Sequence, residues 1–225
     1  MSAMKLLGIS VGGPREITYQ DRRGRAKTTT TSIFKDPVVG RVMLRAHNIA
    51  GDRQSDLDAH GGVNRAVYVY SVENYRYWAG ELDRDDFASQ SQFGENLTVE
   101  GLLDHVVHVG DTFGIGGAVV QITQPRVPCF KLGIRMGIPD FQTRFAQALR
   151  TVFYLRVIEE GEIGAGDPIE PIARDPVGMT VAHMMRLLYF EPDNLEDARR
   201  ALRIEAMSPG WRDSFEDRLL KAGAG

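Results

Sequence analysis

Short β-type runs, broken by Gly, Pro and Asp, recur from residue 5 to about residue 172. Their brevity and number argue for a twisted, barrel-like β architecture with helices inserted between strands. Residues 6–11 form one run, closed by Gly12-Gly13-Pro14. Residues 16–19 and 27–31 are placed to pair across the polar turn Asp21-Arg22-Arg23-Gly24. Residues 66–70 are β-branched and aromatic, 118–123 form a further run, and 153–158 alternate as a half-buried strand does. The spacing predicts helices over 72–82, from a Ser71 cap, and over 140–149, where Phe141, Phe145 and Leu149 recur every four residues.

The character changes after Pro176. Thr180 is placed to cap a helix running to Leu188, Asp193 to cap a second, and Ser208-Pro209 is a strong third start. Trp211, Phe215 and Leu219 then recur every four residues. We therefore read a mainly β domain over residues 1–174 and a small three-helix bundle over 175–225. A bundle this small is marginal alone, so it is expected to dock on the β domain or on a partner. Met184, Met185 and Met207 are expected to pack it.

Composition narrows the function. A net charge of −3 offers no long-range pull toward a nucleic acid polymer or a membrane surface. No run approaches the roughly 20 apolar residues that span a bilayer, and the start lacks signal-peptide layout. One cysteine in 225 residues fits a reducing cytoplasm.

That cysteine, Cys129, can close no intramolecular disulfide and build no multi-cysteine metal site. It is an inert buried side chain, a nucleophile, or the single thiolate on a metal whose other ligands come from a cofactor. Pro125, Pro128, Arg126 and Lys131 surround it in sequence; proline stiffens the chain and nearby cations favour the thiolate.

Two further clusters stand out. In Asp58-Ala59-His60-Gly61-Gly62-Val63-Asn64-Arg65 adjacent glycines let backbone N–H groups converge on an anion, although a plain turn before the next strand explains them too. Phe93-Gly94-Glu95-Asn96-Leu97-Thr98 places an acid and an amide on a turn, where a simple Asx-turn is the ordinary explanation. His105 and His108 fall in an apparent strand on opposite sides and make a poor metal pair, while His47 and His183 lack obvious partners. Gly110 to Gly117 reads as a hairpin turn, and there is no phosphate-loop, flavin or nicotinamide motif.

In order, His60-Gly61-Gly62-x-x-Arg65-Ala66, Phe93-Gly94-Glu95-Asn96-Leu97 and Gln124-Pro125-Arg126-x-Pro128-Cys129-Phe130-Lys131-Leu132 resemble the signature blocks of MOSC domains, named for the C-terminal domain of molybdenum cofactor sulfurases. The spacing is most similar to the stand-alone bacterial branch with a three-helix tail. Val63, Asn64 and Phe130 depart from the residues frequent in relatives. The resemblance implies a barrel of the kind in pyruvate kinase's small domain, with Cys129 ligating the molybdenum of a molybdenum cofactor. It implies an anion nest of His60, Gly61, Gly62 and Arg65, with Arg126 and Lys131 beside the metal and Gln124 and Asn96 giving neutral hydrogen bonds. It further implies reduction of N-hydroxylated compounds, with Glu95 as proton donor and electrons from a separate reductase for which the tail offers a docking surface; a homodimer is allowed. A carrier of cofactor or sulfane sulfur on Cys129 would look the same in sequence. A cysteine hydrolase with His60 as base is the third reading, but no elbow motif supports it.

Overall fold

Strand β9 (Ala118–Pro125) lies at the heart of the fold, and its last four residues are all buried. In the computed structural model, which describes residues 4–21, 23–55, 61–84 and 90–223, it pairs antiparallel with β8 (Thr112–Ile115) on one side and β10 (Phe153–Glu159) on the other. The eight-stranded sheet continues through β6 (Val67–Ser71), β7 (Leu97–Glu100), β1 (Lys5–Val11) and β4 (Asp36–Pro37), with β12 (Ile169–Ala173) at its other end. The sheet then closes on itself. Leu6 N donates to Asp167 O at 2.9 Å and Ile169 N to Met4 O at 3.0 Å, so β1 meets the start of β12 and edge groups find partners.

Only β6 and β7 pair in parallel among the described strands. A parallel pair cannot be joined by a tight hairpin, and helix α1 (Val72–Leu82) lies in the crossover. Ser71 stands at its N-cap as expected but makes no side-chain cap bond. Outside the main sheet, β5 (Arg41–Leu44) pairs with β11 (Gly161–Gly164). The expected hairpin forms from β2 (Arg15–Gln20) and β3 (Ala26–Thr31).

Between β9 and β10 come α2 (Phe130–Met136) and α3 (Phe141–Gln147). Phe141 and Phe145 pack with Trp78, Tyr70 and Phe93, and the Tyr70 and Phe93 centroids lie 4.3 Å apart. Leu149 falls beyond the helix in a left-handed conformation, so the helical face is shorter than its spacing predicts.

The tail comprises α4 (Val181–Tyr189), α5 (Leu195–Ala201) and α6 (Pro209–Gly223). Thr180 caps α4 by accepting from His183 N at 3.1 Å. The second cap is Asn194 rather than Asp193: its Oδ1 accepts from Asp197 N at 3.1 Å. Met184, Met185 and Met207 are buried in one apolar cluster that runs from barrel to tail. Backbone bonds tie the two, from Val181 N to Val107 O at 3.0 Å, Ala182 N to Asp104 O at 2.7 Å and Ser208 N to Thr123 O at 3.2 Å. The bundle is docked on the β domain.

Two histidine expectations are corrected. His105 lies in a turn and His108 in an isolated bridge to Thr180, so neither belongs to a strand of the sheets, and His108 is held by Asp111 at 3.2 Å. His183 does have a partner, since its Nε2 lies 3.0 Å from Asp197 Oδ2.

Candidate functional site

Leaving β9, the chain runs through Arg126, Val127 and Pro128 to Cys129, which is the N-cap of α2 in extended conformation (φ −116°, ψ 170°). Proline forces this exit, because it donates no ladder hydrogen bond and disfavours the helical region in the residue before it. Cys129 is half-buried.

Arg126 points inward instead. Its N–H donates to Val152 O at 3.0 Å, and its guanidinium lies 4.6 Å over the Tyr68 ring and 5.8 Å from that of Phe145. Burial alone would penalise its charge, but the surrounding Tyr68, Tyr154 and Cys129 outweigh that and hold it firmly protonated. Its Nη1 is nevertheless buried without a hydrogen-bond partner. A buried charged donor left in that state is costly, so it marks a place built to receive an acceptor.

Two cavities meet at the sulfur. The first, of about 650 Å³, opens between the barrel and the β3 end of the hairpin. Its polar wall carries Lys35, Asp52, Arg65, Arg126 and Lys131, with Thr31 and Ser32 from the hairpin side. The second, of about 850 Å³, lies between the barrel and the tail, where Gln124, Pro128, Leu188, Gly210, Trp211 and Ser214 line it. Arg65, Val127, Cys129 and Tyr154 belong to both.

Most of the residues singled out from sequence converge here. Gly62, with φ 87°, takes a conformation that disfavours side chains and starts the 3-10 turn Val63–Arg65. That turn aims Arg65 at Gln124, with Nε 3.4 Å from Oε1. Lys131, the second residue of α2, lines the first cavity, and Gln124 the second. Gly61 precedes the turn but lines neither cavity, and His60 lies outside the described residues.

Asn96 and Glu95 have different places. Asn96 lines the first cavity, but its Oδ1 accepts from Tyr68 N at 3.1 Å and its Nδ2 donates to Ser10 O at 3.3 Å, so its amide braces three strands. Glu95 is fully buried and lines neither cavity. Its carboxylate accepts from Ser91 N at 2.7 Å, Phe93 N at 3.1 Å, Thr98 Oγ1 at 3.1 Å and the Tyr75 hydroxyl. Burial pushes its pKa up, opposed by those hydrogen bonds. The expectation of a proton donor at the site is corrected on geometry: this carboxylate organises the loop carrying Asn96.

Sequence reasoning missed the buried Lys35–Asp52 ion pair. Asp52 also accepts from Gly12 N at 2.8 Å, and burial pulls the Lys35 pKa below its ordinary value against the pull of Asp52. It also missed Tyr68, beneath Arg126, and Tyr154, whose ring is tilted 40° to that of Tyr68 with centroids 5.3 Å apart. The β-branched and aromatic run over residues 66–70 marked a strand, and nothing local distinguished the tyrosine facing the cavity.

Known proteins resemble this chain in sequence and fold. Residues 56–170 match the MOSC domain family, and residues 179–222 match the YiiM-like, 3-alpha helix domain. The chain is 39% identical to YflK of Bacillus subtilis over 218 residues, covering 96% of each. It is 31% identical over 180 residues to a Gibberella moniliformis protein named a reductase, covering 76% of this chain and 32% of that protein. The crystal structure of YiiM from Geobacillus stearothermophilus superposes with a TM-score of 0.79 at 30% identity, covering 96% of this chain and 99% of that one.

Proposed function

The chain belongs to the MOSC domain family, a molybdenum-cofactor-related family, and on that premise we propose that it is an oxidoreductase reducing N-hydroxylated compounds, such as hydroxylaminopurine-type bases, to amines. The observation that carries this reading is the Cys129 sulfur at the mouth of a cation-lined cavity, beside a buried Arg126 donor lacking a partner. A relative named a reductase supports the redox class.

The residues fit the cofactor. A thiolate is a soft ligand suited to a sulfur-rich metal centre. Molybdopterin bears a phosphate, and Arg65, Arg126 and Lys131 are the cations at hand to hold an anion, with Arg126 Nη1 offering a donor already stripped of water. When bound, the cofactor supplies the two-electron redox couple. The protein orients it and excludes water from the pocket. In the overall reaction the N–O bond breaks, the substrate takes two electrons and two protons, and the amine and water leave. The electrons come from a separate reductase. Tyr154, which lines both cavities, is the hydroxyl best placed to relay protons at the junction.

Inductively coupled plasma mass spectrometry should find near-stoichiometric molybdenum in protein made in a cofactor-competent host, and none in Cys129→Ala. Reduction of a hydroxylamino base with a chemical electron donor should follow the metal. A molybdenum-free wild type carrying a persulfide mass shift on Cys129, without turnover, would replace this reading with a sulfur carrier.

A further inference from the structure

The two cavities sharing Cys129 differ in chemistry. Among the described residues, the barrel-side cavity gathers Lys35, Arg126 and Lys131 with one carboxylate, Asp52. The tail-side groove, again among the described residues, has no charged side chain on its wall apart from the shared Arg65. Its surface is instead built of flat or aliphatic groups, Pro128, Tyr154, Leu188 and Trp211, with the neutral amide of Gln124. Its room for a ligand is about 360 Å³, since the 850 Å³ includes open solvent, and this lies within the roughly 300–1,000 Å³ typical of small-molecule sites.

An anion favours the first cavity, because desolvated cations bind it strongly. A neutral, planar ring favours the second, where aromatic and proline faces cover its flat sides without stripping water from a charge. A neutral amide then answers the donor and acceptor edge of such a ring. We propose that the groove between barrel and tail is the substrate-side pocket for a neutral planar heteroaromatic base, with Trp211 and Leu188 of the tail acting as specificity-determining residues. This rests on the reductase reading for its reaction, though not for its ligand. It gives the tail a role at the site itself: the ring lies against α4 and α6, and its N-hydroxyl group is turned toward the sulfur at the junction.

Trp211 is itself buried and packs 6.0 Å from Phe215, so removing it risks the bundle. Gly210 is the better probe. It is exposed on the groove wall, and a Cβ built there meets no heavy atom within 4 Å outside its own helix backbone. Gly210→Phe therefore attaches without a clash at its Cβ and brings a ring to the groove wall, and glycine removal early in a helix favours the helix.

Calorimetric titration with adenine, a planar base needing no metal or electrons, tests this directly. Wild type should bind it, Gly210→Phe should weaken binding at least tenfold, and molybdenum per chain should be the same in both. Ser214→Leu, exposed on the same wall one turn on, should weaken binding in the same direction and guards against a misfolded first variant. No adenine binding by wild type, or binding by both variants as tight as that of wild type, overturns the proposal. Adenine binding lost in Gly210→Phe from a wild type without molybdenum or turnover sinks the reductase reading and leaves the groove assignment standing.

Discussion

Glu95, Asp104, Arg126 and the Lys35–Asp52 pair are all buried in the barrel, whereas the tail's interior is Met184, Met185, Leu187, Trp211 and Phe215, with Ser208 its one buried polar residue among those described. The tail is a conventional apolar bundle in which each buried side chain contributes about 1.5–3 kcal/mol. The barrel spends part of its interior on groups that cost stability to bury, and each needs a partner. Asp104 is held by Asn74 Nδ2 at 2.7 Å and Val152 N at 2.6 Å; Glu95 by four donors; Arg126 by aromatic rings. The difference separates a scaffold that fixes a site from an element that covers it.

The largest expected effect tests the barrel's aromatic floor. Phe145 is fully buried and underlies Arg126. Phe145→Ala should destabilise by about 3–5 kcal/mol in chemical denaturation, since a large core cavity cannot collapse. A loss under about 1 kcal/mol would show that the barrel does not depend on this packing.

A second test concerns buried charge. The Glu95 pKa is raised in the folded state above its ordinary 4.5. The folded form therefore binds more protons than the unfolded one between the two values, and stability falls as pH rises through that window. Glu95→Gln removes this titration, so its unfolding free energy should decline less steeply from pH 4.5 upward than that of wild type. Parallel pH curves would mean that the carboxylate is not desolvated as its burial requires.

The smallest effect is on the tail. Thr180→Ala removes a helix cap and should cost about 1 kcal/mol, within the roughly 0.5–2 kcal/mol of such caps, by thermal or chemical unfolding. A much larger loss would mean that the Thr180 side chain does more than cap α4, since the backbone bridge to His108, where tail meets barrel, is untouched by the substitution.

Strands and helices were readable because their signals are local. Alternation within residues 153–158 and fourfold spacing in Trp211, Phe215 and Leu219 express backbone geometry that neighbouring residues share. Failures were of two kinds. Asn194 rather than Asp193 caps α5, a one-residue choice between equally good cap residues. Glu95 read as an active acid because a carboxylate on a turn looks the same in sequence whether it faces a cavity or four internal donors.

The sequence by itself determined the β-then-helical order, the hairpin, the cap at Thr180, the helix start at Ser208-Pro209, and the setting of its one sulfur between prolines and cations. Only the tertiary structure decided that Lys35 meets Asp52, that Arg126 lies over Tyr68 and Phe145, and that Trp211 shares a groove with Cys129. Periodicity is encoded by residues a few positions apart. Burial of a charge and the meeting of two cavities depend on segments brought together by sheet closure and tail docking, and no local pattern records that distance.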